Sequence, residues 1–349
     1  MATQLSAIGR LGTGFNVDEN GVVSMSGGGE LSNLIINGDF SVAQRGTSFT
    51  SETWRKNNDD SYLLDRWLLL SDGNDIVDVT QISSAFSRSR YALQAEVETA
   101  NKKFGFCQII EANTCIPLRG QKISVSVAAK TVSAKLIENI RVAVLEWTGT
   151  ADAVTSDVVS AWNAEGTNPT WATNWTALNV PTNLALTTSE QTFKVENLTV
   201  GASCNNLAVF IWVDDTDCAV DDILQLGEVQ VVRGSVVPEF VAENSILACG
   251  RRYQSSVSAS CAITTKALGG MNPCSPAMAS TPTIYIKGRL DGVANKVREV
   301  TLGTTCIFSS IYVSVTAMGV SLIYDSVDPT PALTVGSWYD YEICFEAEL

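Results

Sequence analysis

The sequence predicts an all-β chain: an antiparallel β-sandwich followed by a second, smaller β-sandwich. Three observations predict it. Between residues 33 and 243, short runs of apolar residues alternate in strand fashion, and turn residues separate them. No helical periods intervene between these runs, so βαβ units are not expected. From about residue 244 the composition shifts to small residues with Ser and Thr, and further short runs continue to the end.

Residues 1–32 are rich in Gly and Ser and contain FNVDENGVVSM. Asn20-Gly21, set between Val17 and Val22-Val23, is a hairpin turn signal. Gly27-Gly28-Gly29 reads as a flexible joint. Two readings stand for this segment: a disordered leader, or an arm that docks the protein to a larger assembly. The first sandwich, residues 33–243, then runs through eight strand-like stretches. They are DIVDVTQI (75–82), RYALQAEV (90–97), FGFCQII (104–110), KISVSVAA (122–129), NIRVAVLEW (139–147), QTFKVENLTV (191–200), NLAVFIWV (206–213) and ILQLGEVQVV (223–232). Inward and outward residues alternate along such strands when two sheets pack face to face. Trp67 and Trp147, on strand-like stretches, are expected in the core.

One helix is expected inside this domain. Ser156-Asp157 can cap VVSAWNAE, with Val158, Val159 and Trp162 on one side and Gly166 as the stop. It lies in the long connection Thr148–Leu186, which also carries Trp171 and Trp175. Loops of this length usually bind something or pack on a neighbour. In residues 244–349, SILACGRRY reads as a short helical hinge. SVSASCAIT, TPTIYIKGRL, KVREVTL, CIFSSIYVSVTAM, VSLIYDS and WYDYEICFEAEL follow as strands.

Composition narrows the function. Of the 349 residues, 45% are hydrophobic and 17% charged, which implies extensive burial within the fold or between subunits. The net charge of −14 and the lack of any Lys/Arg run argue against duplex-DNA binding. The chain has no histidine, which removes Ser-His-Asp and Cys-His catalysis and every His-containing zinc site. Nine cysteines, an odd number without C-x-x-C, read as buried thiols acting as small hydrophobes. Spacing alone would also allow Cys107/Cys115 and Cys204/Cys218 to pair across hairpins. The N-terminus carries no charged-then-apolar signal segment, and no run reaches the ~18 apolar residues of a membrane span. Release inside a virion at lysis is one exit route compatible with that.

Several motifs frame residues 33–349. NLIINGDF (Asn33–Phe40) is followed by SVAQRGTSF and YLLDRW; LGEVQVVRGSVVPEF (Leu226–Phe240) closes the first sandwich. Beyond it come ENSILACGRRYQ (Glu243–Gln254) and a final EICFEAEL (Glu342–Leu349). The glycines mark turns or bulges that need positive φ. Asp39 is expected to accept from backbone donors, with Arg45 or Arg66 as its ion partner. In this order the motifs resemble the jelly-roll, carbohydrate-module-like domain of phage tail and fibre proteins. There an N-L-[IL]-x-N-G-D-F box opens the domain and L-x-E-V-Q-x-x-x-G-S closes it. A Cys-x-Arg-Tyr segment follows, and the last strand ends in acidic-Ala-Glu-Leu. The resemblance implies a jelly roll over 33–243, a C-terminal β domain over 244–349 and assembly as a homotrimer.

Three constellations are candidate sites. Trp162, Trp171 and Trp175 lie in an Asn/Thr-rich setting that suits stacking on sugar faces; the other reading is that they plug the sandwich or an interface. Asp214, Asp215 and Asp217, with Asp221 and Asp222, crowd one turn. That turn could hold a structural calcium, yet it lacks the EF-hand glycine and terminal Glu, so a solvated acidic turn is the expectation. Thirty-seven acidic residues leave a glycosidase pair unspecified, no catalytic motif is visible and no enzyme activity is expected. The resulting expectation is a phage virion protein, a tail-fibre or appendage subunit adhering to a host-surface glycan. Its N-terminal arm would contact other virion proteins. No cofactor, nucleic acid or membrane insertion enters this reading. The alternative is a capsid head fibre or decoration protein with a structural role, and a polysaccharide depolymerase comes third.

Overall fold

The computed structural model describes residues 15–17, 23–25, 33–83, 86–132, 137–213, 218–264, 267–273, 278, 283–287, 294, 296–300, 305–308, 312–316, 319–324, 329–335 and 337–348. It is all-β, and every strand pairing in it is antiparallel. At the N-terminus, β1 (Phe15–Val17) pairs with β2 (Val23–Met25), the hairpin expected around Asn20-Gly21. The turn itself lies outside the described residues.

The first domain stacks two sheets. Its strands are β3 (Ser48–Phe49), β4 (Ser61–Tyr62), β5 (Leu68–Ser71), β6 (Val77–Ser83), β7 (Tyr91–Val97) and β8 (Phe104–Ile110). A helical turn, α1 (Ala112–Cys115), leads to β9 (Lys122–Thr131) and β10 (Asn139–Trp147). Then come β11 (Val159–Ala161), β12 (Thr170–Trp171), β13 (Trp175–Ala177), β14 (Leu184–Ala185), β15 (Gln191–Thr199), β16 (Asn206–Val213) and β17 (Ile223–Arg233). One sheet runs β15-β9-β17-β7-β6-β3; the other runs β13-β10-β16-β8-β5-β4, with β14 also on β10. Alternation assigns the faces. Ile140, Val142 and Val144 of β10, Leu207, Val209 and Ile211 of β16, and Ile123, Val125 and Val127 of β9 meet in one core between the sheets.

The opposite face of the second sheet is apolar as well. Leu68, Leu70, Cys107, Ala143, Leu145, Trp147, Ala208, Phe210 and Trp212 form a second cluster there with Val158, Val159 and Trp175 of the long connection. That connection is a third layer, which explains why NLAVFIWV is buried at every position. The helix expected at 156–166 is absent. Asp157 Oδ1 does accept from Val159 N at 2.7 Å, as a cap would. But Val158 and Val159 are drawn onto the apolar sheet, and β11 pairs with β12 in place of coiling. β-Branched residues favour that outcome.

α2 (Ile246–Gly250) leads into the C-terminal domain: β18 (Tyr253–Thr264), β19 (Ala267–Pro273), β20 (Thr283–Lys287), β21 (Lys296–Glu299), β22 (Thr305–Ile307), β23 (Tyr312–Thr316), β24 (Gly319–Tyr324) and β25 (Trp338–Glu346). Its sheet order is β22-β21-β25-β18-β19-β24-β23, with β20 also on β25. Tyr339, Tyr341, Ile343 and Phe345 alternate onto one face of β25 and pack with Leu268, Ile286, Val297 and Phe308.

Candidate functional site

The three tryptophans come together on the outer face of the second sheet, but not equally. Trp175 is 4% exposed; its ring lies 5.2 Å from that of Trp147, and its Nε1 donates to Thr155 Oγ1 at 3.2 Å. Trp162 and Trp171 are half-buried. Trp171 meets Trp212 edge-on at 5.8 Å, Trp162 lies 6.0 Å from Phe210, and Phe210 stacks on Trp212 at 5.1 Å. Gly105 permits this stack, since a Cβ there would fall 2.5 Å from Trp212 Cβ. The rim is amide-rich and fixed. Arg141 Nε donates to Asn183 Oδ1 at 2.6 Å, and its Nη1 donates to Asn168 Oδ1 at 2.6 Å. Asn163 Nδ2 donates to Asn168 O at 2.7 Å. Exposed Ser160 and Thr170 complete the surroundings. Such a surface can stack and hydrogen-bond a ligand.

Asp214, Asp215 and Asp217 lie outside the described residues. Of the same turn, Asp222 is buried and its Oδ2 accepts from Ala219 N at 3.0 Å. Among the described residues no group of three or more His, Cys, Asp or Glu could hold a metal ion. Cys107, Cys115, Cys204, Cys249, Cys306 and Cys344 are free and buried, so neither spacing-allowed disulfide is formed. Burial pushes the Cys107, Cys115 and Cys249 thiols above their usual range, which leaves them as inert apolar side chains.

The motif residues do something the sequence did not reveal. Asp39 accepts from Ser41 N and Ser41 Oγ, and neither arginine pairs with it. Arg45 of QRGT instead reaches Asp65 of DRW at 3.1 Å, Glu346 at 3.1 Å and Glu348 at 2.8 Å. Arg66 pairs with Glu111 at 2.8 Å and with Glu348. Arg252 of GRRY pairs with the same Glu111 oxygen at 2.7 Å, and its Nη1 donates to Ala347 O at 2.9 Å. Arg55 takes the other oxygen of Glu346 at 2.8 Å. Four arginines and four carboxylates thus lock the two domains at one seam. Burial alone would lower the Arg45 and Arg66 pKa values; Glu348 with its neighbours outweighs it and holds both above the usual range. Conversely, burial would raise Glu348, but Arg66, Arg45 and Arg252 hold it below. The segment read as a hinge is pinned here: Asn37 N donates to Ser245 Oγ at 2.9 Å, and Arg252 sits in the cluster. The one sequence signal was the presence of charges at motif positions in a chain poor in charge.

No family model and no curated protein matches the chain. Among solved structures it is similar to TmCBM61 in complex with β-1,4-galactotriose, with 13% identity over 58% of this chain and 99% of that one and a TM-score of 0.33. It is also similar to the enzymatically active domain of tailspike protein 4 of bacteriophage CBA120, with 12% identity over 54% of this chain and 21% of that one and a TM-score of 0.33. A third is the CBM22-1 xylan-binding domain from Paenibacillus barcinonensis, with 12% identity over 53% and 93% and a TM-score of 0.32. At these identities and TM-scores, no residue role or activity is carried from them to this chain.

Proposed function

We propose that the chain is a subunit of a phage virion appendage, assembled as a homotrimer, that adheres to a host-surface glycan. The observation that supports its glycan-binding part is the outer-face layer, while the virion role and the homotrimer rest on the motif resemblance. Trp162 and Trp171 are left half-buried over a rigid Phe210–Trp212 stack, inside a rim of amides and hydroxyls. Indole faces stack on the C–H faces of sugars, and immobilised amides take hydroxyls without further ordering cost. Binding at one copy is weak, and three copies on a particle supply the avidity. The paired β1 and β2 serve as the arm that docks to the particle.

A glycan array of host-surface polysaccharides, read with the protein displayed multivalently, tests the proposal beside light scattering of the purified chain. The expected outcome is a trimer of 37.4 kDa chains that binds a defined glycan, with Trp162→Ala and Trp171→Ala each weakening binding about tenfold or more. A folded protein that binds no glycan on the array would overturn the adhesion reading. A monomer would overturn the appendage assembly.

A further inference from the structure

A second concavity lies away from the tryptophan layer, at the seam between the domains. It is an open cleft of about 300 Å³. Three parts of the chain build it: Arg55 and Tyr62 of the jelly roll, Ser156 of the long connection, and Tyr285 and Glu346 of the C-terminal domain. Its size is at the low end for small-ligand sites. We infer that this cleft is a binding site for a short uncharged saccharide, distinct from the Trp162–Trp171 surface and complete only when both domains are present.

Three features support the assignment. First, the aromatic wall is held before any ligand arrives. Tyr285, 37% exposed, stands edge-on to Trp54 at 6.1 Å. Arg55 lies 5.1 Å from the Trp54 ring and 5.5 Å from the Tyr285 ring. Lys287 covers Trp54 from 4.6 Å. A fixed ring beside open space suits the apolar face of a pyranose. Second, hydrogen-bonding groups converge there. Ser156 Oγ donates to Asp60 Oδ2 at 3.0 Å, and Arg55 Nη2 donates to Glu346 Oε2 at 2.8 Å.

Third, the charge selects the ligand class. The lining holds one cation, Arg55, and three carboxylates, Asp60, Glu346 and Glu348. Arg45 and Arg66 neutralise Glu348 from behind, and Arg45 and Arg55 share Glu346. Asp60 has no ion pair among the described residues, and Asp59 and Asp157 stand near it. Burial, with Asp59 and Asp60 adding, pushes Asp157 up to about 6. A cleft of this sign repels carboxylated and phosphorylated ligands and accepts hydroxyl-rich neutral ones.

The inference rests on the reading of the chain as a glycan binder, and titration calorimetry on the full chain separates the two. The probes are neutral trisaccharides (cellotriose, maltotriose, galactotriose) and the acidic trigalacturonate. The expected result is binding of at least one neutral probe, weakened about tenfold or more by Tyr285→Ala and held within about threefold by Tyr285→Phe. Trigalacturonate should bind about tenfold more weakly than that probe, and Asp60→Asn should narrow the gap. Unchanged unfolding midpoints establish that the variants are folded. Loss of binding in Trp171→Ala with full binding in Tyr285→Ala would overturn the cleft and leave the adhesion proposal standing. Equal binding of trigalacturonate would overturn the ligand class. No binding by any probe would overturn the cleft assignment, while the polysaccharide array still decides the adhesion reading.

Discussion

Gly38 shows at the residue scale what a motif position can hide. In the sequence, its NGDF setting suggests a turn glycine with positive φ. In the structure positive φ falls on its neighbours, Asn37 at 60° and Phe40 at 53°. Asn tolerates that region through local hydrogen bonds, and Asn37 uses its side chain on Val42 and on Asp65 O. Phe40 is fully buried, 5.1 Å from Trp67, and that packing offsets its strain. Gly38 is glycine because a Cβ would sit 2.0 Å from Val229 O, where the opening segment presses on the closing strand. Its own carbonyl accepts from Val229 N at 2.9 Å. Gly38→Ala is therefore expected to destabilise by about 3 kcal/mol or more. Gly166, with φ +77° and nothing within 4 Å of a Cβ, should lose only about 1 kcal/mol on the same change. Urea unfolding midpoints compare the two; equal losses would refute the close-approach account. The motif thus pointed to the right glycine for a reason that only the long-range fold supplies.

Strands were legible in proportion to how local their cause is. β8, β10 and β16 begin and end where their apolar runs do, because alternation and turn residues lie in the same ten positions. The fate of residues 148–186 was not local. Val158, Val159 and Trp175 are set by an apolar sheet face built from residues before and after them. For the same reason the helical pattern at 156–166 misled. β19 lacked any run to announce it: ALGGMNP has two glycines and a proline, and its pairing to β18 and β24 defines it. Layering also orders stability. β16 is paired on both edges and covered on both faces, while β15 is an edge strand that exposes alternate residues. Hydrogen exchange should find the amides of 207–212 open only with global unfolding, and those of 191–199 exchange through smaller openings. Similar protection of the two strands would contradict the third layer as a structural cover.

At the scale of the whole molecule, the seam joins residues about three hundred positions apart, which no local pattern can announce. Arg45 and Arg66 read as architecture of the first sandwich and Arg252 as part of a hinge; together they face Glu346, Ala347 and Glu348. Removing Arg45 leaves buried Asp65 without an ion partner among the described residues and takes one of two arginines from Glu346 and Glu348, which costs about 3–5 kcal/mol. Arg45→Met should therefore lower stability by that amount and split the domains into two unfolding transitions seen by calorimetry. The pH dependence carries opposite signs in two windows. Glu348 titrates below its unfolded value because the arginines outweigh its burial, so its contribution is present above the ordinary carboxylate range and is lost as pH falls through its folded pKa. Asp157 and Asp78 go the other way. Burial first, then neighbouring carboxylates, raises each to about 6, so their charged forms oppose folding at neutral pH. Protonation between about pH 6 and pH 4 relieves them, and stability rises as pH falls through that window. The sum is a stability maximum in mild acid with a steep loss below it. Thermal midpoints from pH 8 to pH 3 measure the curve. Asp157→Asn, which keeps the acceptor for Val159 N, should raise the neutral end and flatten the rise, whereas Glu348→Gln should remove part of the acid limb. A midpoint that falls steadily from pH 7 downward would refute the opposing contribution of Asp157 and Asp78.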